Sequence, residues 1–166
     1  MANICRTDIR IEASEYAIKS FIEKYEGCHD GKYPNKEEIP HIVDVFGADA
    51  ELFIDKVGSK WVTKYDVYYE GLTVFEFGLE SAWYPPSDML KEMYRQLVDR
   101  SDSDVIFTAR YWDEAYDPIG VLKIVGEGEI LSLETEPEPE DEYEGEWYWD
   151  DVIDPEFERL EKELNI

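Results

Sequence analysis

The stretch FGLESAWYPPSDMLKEM, residues 77–93, decides the fold because it joins a strand pattern to a helix pattern. Phe77 and Leu79 alternate with other residues, which is the period of a strand. Two prolines follow, and Ser87 is positioned to cap the next element. A helical apolar stripe then begins, formed by Leu90, Met93, Tyr94, Leu97 and Val98. The sequence therefore predicts a strand, a junction at AWYPP and a helix near 87–99.

Similar patterns extend outward from this stretch in both directions. ICRTDIRIE is predicted to be the first strand, and residues 14–26 a helix capped by Ser14. A short helix is predicted in ADAELFIDKVG, with Leu52 and Phe53 packing inward. A hairpin that turns at Glu70-Gly71 then precedes the junction. SDVIFTARYW, after the second helix, is predicted to be another strand. A hairpin turning at Glu127-Gly128 and a terminal helix with Asp154 as N-cap complete the chain.

The order strand, helix, strand, strand, helix, strand is typical of the α+β class and of the ferredoxin-like split βαβ fold. It predicts an antiparallel sheet with two helices on one face, plus an extra C-terminal hairpin, an acidic linker and a terminal helix. We expect a ferredoxin-like domain over residues 1–133, with a variable insertion at 28–60. Residues 134–166 form an acidic, aromatic C-terminal extension that includes the short helix.

The net charge of −25 limits the kinds of partner. The extension 134–166 has 15 acids and 2 bases, and the other 133 residues have 26 acids and 14 bases, so the acidity covers the whole chain. A direct nucleic-acid binder needs a basic face, and so does a protein of anionic membranes. The charge excludes both classes and favours a cationic partner, either the basic groove of a nucleic-acid-binding protein or metal ions.

The residue types of catalytic and metal sites are present without the necessary spacing. The chain has no P-loop, dinucleotide fingerprint or nucleophile elbow. Cys5 is expected to be a buried thiol, and Cys28 beside His29 lies in a turn that fixes no base–nucleophile geometry. The acids of SDSD and DEAYD lack the spacing of a calcium loop. We expect no cofactor, no metal, and a cytoplasmic protein without a signal peptide.

Aromatic residues recur where the predicted strands end. Trp83 is predicted to be a core residue that stacks on the prolines of the junction and fixes the helix entry. Tyr84, Tyr111 and Trp112, next to Asp113 and Glu114, are instead predicted to form an exposed partner-binding rim. Acid-flanked rings of this kind bind arginine or lysine by cation–π contact, and Trp and Tyr dominate interface hot spots.

The most acidic stretch is ETEPEPEDEYEGEWYWDD, residues 134–151. Its prolines and like charges predict an extended, mobile linker. The candidate partner-binding carboxylates are those of Glu138, Glu140, Asp141, Glu142 and Glu144. Trp147 and Trp149 leave two interpretations open: they dock onto the fold and position the terminal helix, or they contact the partner directly.

Four segments in the same order resemble the YubB-like ferredoxin-fold proteins of plasmids and phages. MANICRTDIRI is similar to that family's opening Asn-aromatic-Cys-x-Asn strand, although Ile4 replaces the usual Trp and Thr7 the Asn. GSKWVTKYDV resembles its Gly-Thr-Lys-Trp-Asp segment, and FGLESAWYPPSDMLKEM its Thr-Ala-Trp-x-Pro-Pro junction. YWDEAYDPIGVLKI resembles its Tyr-x-Glu-x-Gly-x-x-Phe-x-Gly hairpin. The resemblance covers roughly residues 1–125 and implies a ferredoxin-like fold and a mobile-element origin, with no known reaction.

Three classes of function follow from these patterns. The first is a non-enzymatic phage or plasmid accessory protein that binds a basic surface of a host defence or DNA-processing protein and imitates nucleic acid, whose duplex has a charge every ~1.7 Å. The second is a small metal-dependent or hydrolytic accessory enzyme. The third is an acidic structural module without an electrostatic role.

Overall fold

A computed structural model of the chain describes residues 3–29, 31, 39–137 and 148–166. Within these ranges six strands form one antiparallel sheet in the order β2-β3-β1-β4-β5-β6. In chain order the strands are Ile4–Glu12 (β1), Val62–Glu70 (β2), Val74–Ala82 (β3), Ile106–Asp113 (β4), Ile119–Val125 (β5) and Glu129–Thr135 (β6). The helices are Glu15–Glu26 (α1), Ile42–Phe46 (α2), Phe53–Val57 (α3), Ser87–Val98 (α4) and Asp154–Leu164 (α5). The predicted α+β class is confirmed.

One face of the sheet, the inner face, is covered by α1, α2 and α4. Alternate residues of β1 point to this side, and all of them are buried: Cys5, Thr7, Ile9 and Ile11. They lie in register with alternate residues of β3, including Phe75 and Phe77, so that two apolar rows are adjacent. The ring of Phe21 on α1 lies 4.9 Å from Phe46 and 5.6 Å from Phe77 between centroids. This side is the main hydrophobic core.

The opposite face, the outer face, is covered over only part of its width. Helix α5 lies against β5 and β6, and its buried residues Phe157 and Leu160 join a second apolar cluster. The sheet contributes Trp112, Ile119 and Val121 to that cluster. We call β4, β5 and β6 with α5 the covered half of the outer face. The open half comprises the outward residues of β1, β3 and β2, which are mostly charged or tyrosine.

The main helices and hairpins are close to the predicted positions, whereas some of their ends differ. Helix α1 has Ser14 as its N-cap, with the hydroxyl accepting from the Ala17 N–H at 3.4 Å. The predicted cap at Ser87 is wrong, because Ser87 is the first residue of α4 and the preceding proline offers no side-chain acceptor. Asp154 is not an N-cap either, since α5 continues directly from a π-helical turn at Trp149–Ile153. Leu52, expected to pack inward, is 66% exposed.

The segments outside the four-strand pattern belong to the same packed structure where they are described. In the insertion at 28–60, Ile42, Val43 and Phe46 of α2 lie in the main core. In the extension, β6 pairs with β5 up to Thr135, and α5 packs on the outer face. Within the described ranges no helix is both long enough and apolar enough to cross a bilayer.

Candidate partner-binding end of the sheet

The strand register brings several predicted site residues to the same end of the sheet. Ile4 at the start of β1 pairs with Ala82 at the end of β3, and Cys5 pairs with Asp113 at the end of β4. Through β5, the end of β6 at Thr135 lies at this end as well. We call this the Trp83 end of the sheet. Tyr84, Asp113, Glu114 and the point where the chain leaves β6 toward residue 138 all lie there.

Trp83 is exposed rather than buried, which makes the predicted core position wrong. Its backbone has a φ of 66°, a left-handed conformation that is uncommon for a bulky residue. The Trp83 N–H donates to the Asn3 carbonyl at 2.9 Å, and the next carbonyl, of Tyr84, accepts from the Ser81 hydroxyl at 2.6 Å. These bonds hold the chain so that 48% of Trp83 and 64% of Tyr84 remain exposed. The predicted exposed position of Tyr84 is therefore confirmed.

Tyr111 does not belong to an exposed rim, because only 4% of it is accessible. It lies on the inner face, and its ring crosses Gly120 on the neighbouring strand, where a Cβ would be 2.3 Å from the ring. Its hydroxyl donates to the Glu134 carboxylate at 2.6 Å. Burial raises the pKa of Tyr111, and the hydrogen bond to Glu134 raises it further. Tyr111 is therefore a packing residue that ties β4 to β6.

Trp112 is also buried, on the opposite face of the sheet, so its predicted rim position is wrong. The cause is α5: the Trp112 ring lies 5.2 Å from that of Trp149 and 6.0 Å from that of Phe157, both edge-on. Trp149 is partly buried in the same cluster. Of the two interpretations of this tryptophan, packing against the fold is the one that the geometry favours.

Asp113 is a buried turn residue, and its neighbour Glu114 is an exposed one. One Asp113 carboxylate oxygen accepts from the N–H groups of Ala115 and Asp117, each at 2.9 Å. The other accepts from the Asn3 amide at 3.3 Å. Within the described part of the chain, the Glu114 carboxylate makes no hydrogen bond or ion pair. Asp113 thus shapes the turn after β4, while Glu114 is available to a ligand.

The other predicted partner-binding residues lie outside the described residues. They are Glu138, Glu140, Asp141, Glu142, Glu144 and Trp147. The nearest described acids on the two sides, Glu136 and Asp150, are exposed.

Most of the basic side chains of residues 110–166 bond to other groups of the protein. Residues 110–166 contain twenty acids and four bases, a net charge of −16. Arg110 bonds the Glu161 carboxylate at 2.6 and 3.0 Å and that of Asp154 at 3.2 Å. Two further bases follow the same rule: Arg159 bonds Glu156 and Glu163, and the Lys123 ammonium donates to the Leu164 carbonyl. The surplus carboxylates therefore have few cations of their own.

The candidate nucleophiles Cys5 and Cys28, and the candidate base His41, are buried side chains of the fold. Burial raises the pKa of the Cys5 thiol to about 12, so a thiolate is strongly disfavoured there. The Cys28 thiol donates to the Tyr25 carbonyl at 3.2 Å. His41 is buried, with Nδ1 accepting from the Val43 N–H and Nε2 within 2.9 Å of the Gly31 carbonyl. Among the described residues no three His, Cys, Asp or Glu side chains are grouped to hold a metal ion.

Residues that sequence patterns did not identify also lie at the Trp83 end. Tyr116 has a φ of 58°, and its ring lies 5.8 Å from that of Tyr148 and 5.7 Å from that of Trp149. The Lys60 ammonium lies 5.8 Å from the Trp83 ring. The sequence signal for Tyr116 is the turn motif DEAYDP, in which the Asp113 side chain can accept hydrogen bonds from backbone N–H groups of the residues that follow it.

Comparison of the chain with protein-family models, with curated proteins and with solved structures gives no match.

Proposed function

We propose that this chain is a non-enzymatic accessory protein of a phage or plasmid that binds a basic surface of a host defence or DNA-processing protein. Its carboxylates imitate the phosphates of nucleic acid, and the binding surface includes the Trp83 end of the sheet. Such a partner places the protein in the cytoplasm. The observation that supports this most is the surplus of acids on residues 110–166, where three of four bases are bound internally.

The proposal includes membership of the YubB-like family and its ferredoxin-like fold. The strand order β2-β3-β1-β4 supports this, because the split βαβ pattern places the first and third strands side by side at the centre. Helices α1 and α4 follow β1 and β3, and both pack on the inner face. Strands β5 and β6 and helix α5 are additions at one edge.

Charge and aromatic exposure support a protein partner. Long-range attraction between an acidic and a basic surface raises the association rate, while contacts at the interface set the lifetime of the complex. The Trp83 end combines both features, since exposed Trp83 and Tyr84 lie beside exposed Glu114. Trp and Tyr are the residue types most enriched at interface hot spots.

The test is capture of partners from a bacterial lysate at low and high salt, followed by competition with duplex DNA. We expect one dominant, basic, nucleic-acid-handling partner that elutes with salt and that DNA displaces, because both ligands need the same basic surface. Amide substitution of Glu138, Glu140, Asp141, Glu142 and Glu144 should slow association. The effect should shrink as salt shortens the screening length to below about 8 Å.

A matched control removes five charges from the other side of the molecule. The exposed acids Glu23, Glu26, Glu70, Asp102 and Asp104 lie on α1, at the end of β2 and in the loop before β4, and they are suitable for the same amide substitution. This control should leave association much less affected. Equal effects of the two sets would contradict localised mimicry, and so would a partner that DNA does not displace. Trp83→Ala should speed dissociation while preserving the fold, because the ring is half exposed.

A further inference from the structure

A small pocket opens at the Trp83 end on the outer face of the sheet. It has a volume of about 190 Å³ and is lined by Ile4, Arg6, Trp112, Glu114 and Tyr116. These residues come from the start of β1 and the end of β4, which are paired, and from the turn after β4. Pockets for drug-sized ligands are larger, roughly 300–1,000 Å³. This volume suits a single long side chain.

The positive charge of Arg6 is directed away from the pocket. Arg6 pairs in register with Trp112 on one side and with Glu80 on the other. Its guanidinium bonds the Glu80 carboxylate at 3.1 Å and lies 4.4 Å from the centre of the Tyr65 ring. Both contacts lie on the β3–β2 side, whereas the pocket lies on the β4 side. The pocket therefore receives mainly the aliphatic stem of Arg6.

Apart from the aliphatic Ile4, the remaining lining is aromatic and acidic, and its two rings are held in place before any ligand binds. Trp112 is fixed by the edge-on rings of Trp149 and Phe157. Tyr116 is fixed in its left-handed conformation by its own N–H, which donates to the Asp113 carbonyl at 3.0 Å. The carboxylate of Glu114 has no partner in the described part of the chain. Two rings and an unengaged carboxylate form a site that attracts a cation.

We propose that this pocket binds one arginine or lysine side chain of the basic partner. The inference rests on the proposed function, because it names the group of the partner that this site recognises. The cation stacks on the partly exposed ring of Tyr116, beside the small accessible part of Trp112, and its charge is balanced by the exposed Glu114. Arginine is the favoured ligand, since its planar guanidinium stacks on rings and binds a carboxylate through two N–H groups.

The test uses an isolated side chain, so it needs no identified partner. N-acetyl-arginine-N-methylamide is titrated into the ¹⁵N-labelled full chain, with the uncharged citrulline analogue as the matched ligand control. We expect saturable shifts of the Trp112 indole N–H and of the Glu114 and Tyr116 amides with arginine, and none with citrulline. Glu114→Gln should weaken binding about two- to fivefold, the range of an exposed charge contact. Tyr116→Asn tolerates the left-handed backbone and should weaken it similarly.

Glu127→Gln is the matched control variant. Glu127 is an exposed acid in the turn between β5 and β6, at the opposite end of the sheet, so the substitution removes the same charge from elsewhere. It should leave arginine affinity unchanged. Equal weakening by Glu114→Gln and Glu127→Gln would overturn the pocket, as would equal binding of citrulline or an absence of shifts at Trp112. These outcomes are separate from the capture experiment, because a salt-sensitive basic partner would still support mimicry without this pocket.

Discussion

The two halves of the outer face belong to one sheet but differ in how their outward residues are satisfied. In the covered half, Ile119 and Val121 of β5 point outward beside Trp112 and are buried by α5. In the open half, the outward residues of β1 are Arg6, Asp8 and Arg10, and α5 lies against β5 and β6 rather than across them. The same backbone geometry therefore supports an apolar surface that needs a helix and a polar surface that does not.

The open half satisfies its charges across the strands. Arg6 bonds Glu80, Arg10 bonds Glu76, and the Tyr68 hydroxyl donates to Asp8 at 2.7 Å. These groups remain partly exposed, so each pair contributes little to stability, on the order of 0–1 kcal/mol. Burial of apolar area contributes far more. The covered half therefore stabilises the fold, whereas the open half mainly keeps one face of the sheet compatible with water.

The largest expected effect comes from removing the covering contact. Phe157 of α5 is fully buried against Trp112 and lies under the Arg110 guanidinium. Phe157→Ala should lower the free energy of unfolding by about 3–5 kcal/mol, because it leaves a cavity between helix and sheet. Chemical denaturation measures this difference.

The neighbouring exposed residue provides the control for this variant. Glu158→Ala preserves the helix and changes only a surface charge, so the free energy of unfolding should change by less than about 0.5 kcal/mol. If Phe157→Ala were as mild as Glu158→Ala, α5 would not be packed on the sheet, and the distinction between the two halves would be wrong.

Much of the sheet could be predicted because its periods are local. The alternation of Cys5, Thr7, Ile9 and Ile11 and the helical stripe that begins at Leu90 are visible in the sequence, and both elements lie where they were predicted. The covering of the outer face could not be predicted in the same way. Trp112 and Trp149 are 37 residues apart, and only the folded register brings them together.

The candidate site was harder to predict because alternation does not say which face a helix will cover. Tyr111 and Trp112 are adjacent and point to opposite faces, yet both are buried since each face is covered at β4. Trp83 was expected inside because it precedes two prolines, but the bond from its N–H to Asn3 turns the chain so that the ring is exposed. The burial of Tyr111 and Trp112 and the exposure of Trp83 all depend on contacts with residues that are far away in the sequence.

A smaller effect, on the order of 1–3 kcal/mol, is expected from adding one methyl group beside a tyrosine. Gly120→Ala places its Cβ 2.3 Å from the ring carbon Cζ of Tyr111, which is buried and held by Glu134. Neither ring nor backbone can move freely, so overpacking should destabilise the fold by that amount. Thermal and chemical denaturation measure the loss.

The matched substitution in the open half is Gly78→Ala. Its Cβ would lie 2.8 Å from the Tyr68 hydroxyl and 3.2 Å from both Asp8 Oδ1 and Tyr65 Cδ1, and all three are atoms of partly exposed side chains that can move aside. Removing a strand glycine also gains roughly 0.5–1 kcal/mol, so the net change should be near zero. Equal losses for Gly78→Ala and Gly120→Ala would show that Tyr68 is held as firmly as Tyr111 and that the open half is more rigid than its exposure indicates.

The smallest effect concerns the charge of Asp8 in the open half. Burial raises the pKa of Asp8, while the hydrogen bond from Tyr68 and the nearby Arg6 and Arg110 act against this increase. The folded state therefore keeps its proton to a higher pH than the unfolded state does, and ionisation of Asp8 opposes folding. As pH rises from the unfolded-state pKa, about 3.9, through the raised folded-state pKa, this residue lowers the free energy of unfolding.

Asp8→Asn removes this opposition and keeps an oxygen that can accept from Tyr68. At pH 7 the variant should be as stable as the unsubstituted chain or slightly more stable, by less than about 1 kcal/mol, and the difference should vanish near pH 3. Asp102→Asn in the exposed loop before β4 removes the same charge and measures the general effect of a less negative protein. Urea denaturation of all three chains at both pH values isolates the contribution of Asp8. A loss of stability at pH 7 specific to Asp8→Asn would mean that its contacts with Tyr68 and the arginines outweigh its burial, and that the open half contributes to stability through its charges after all.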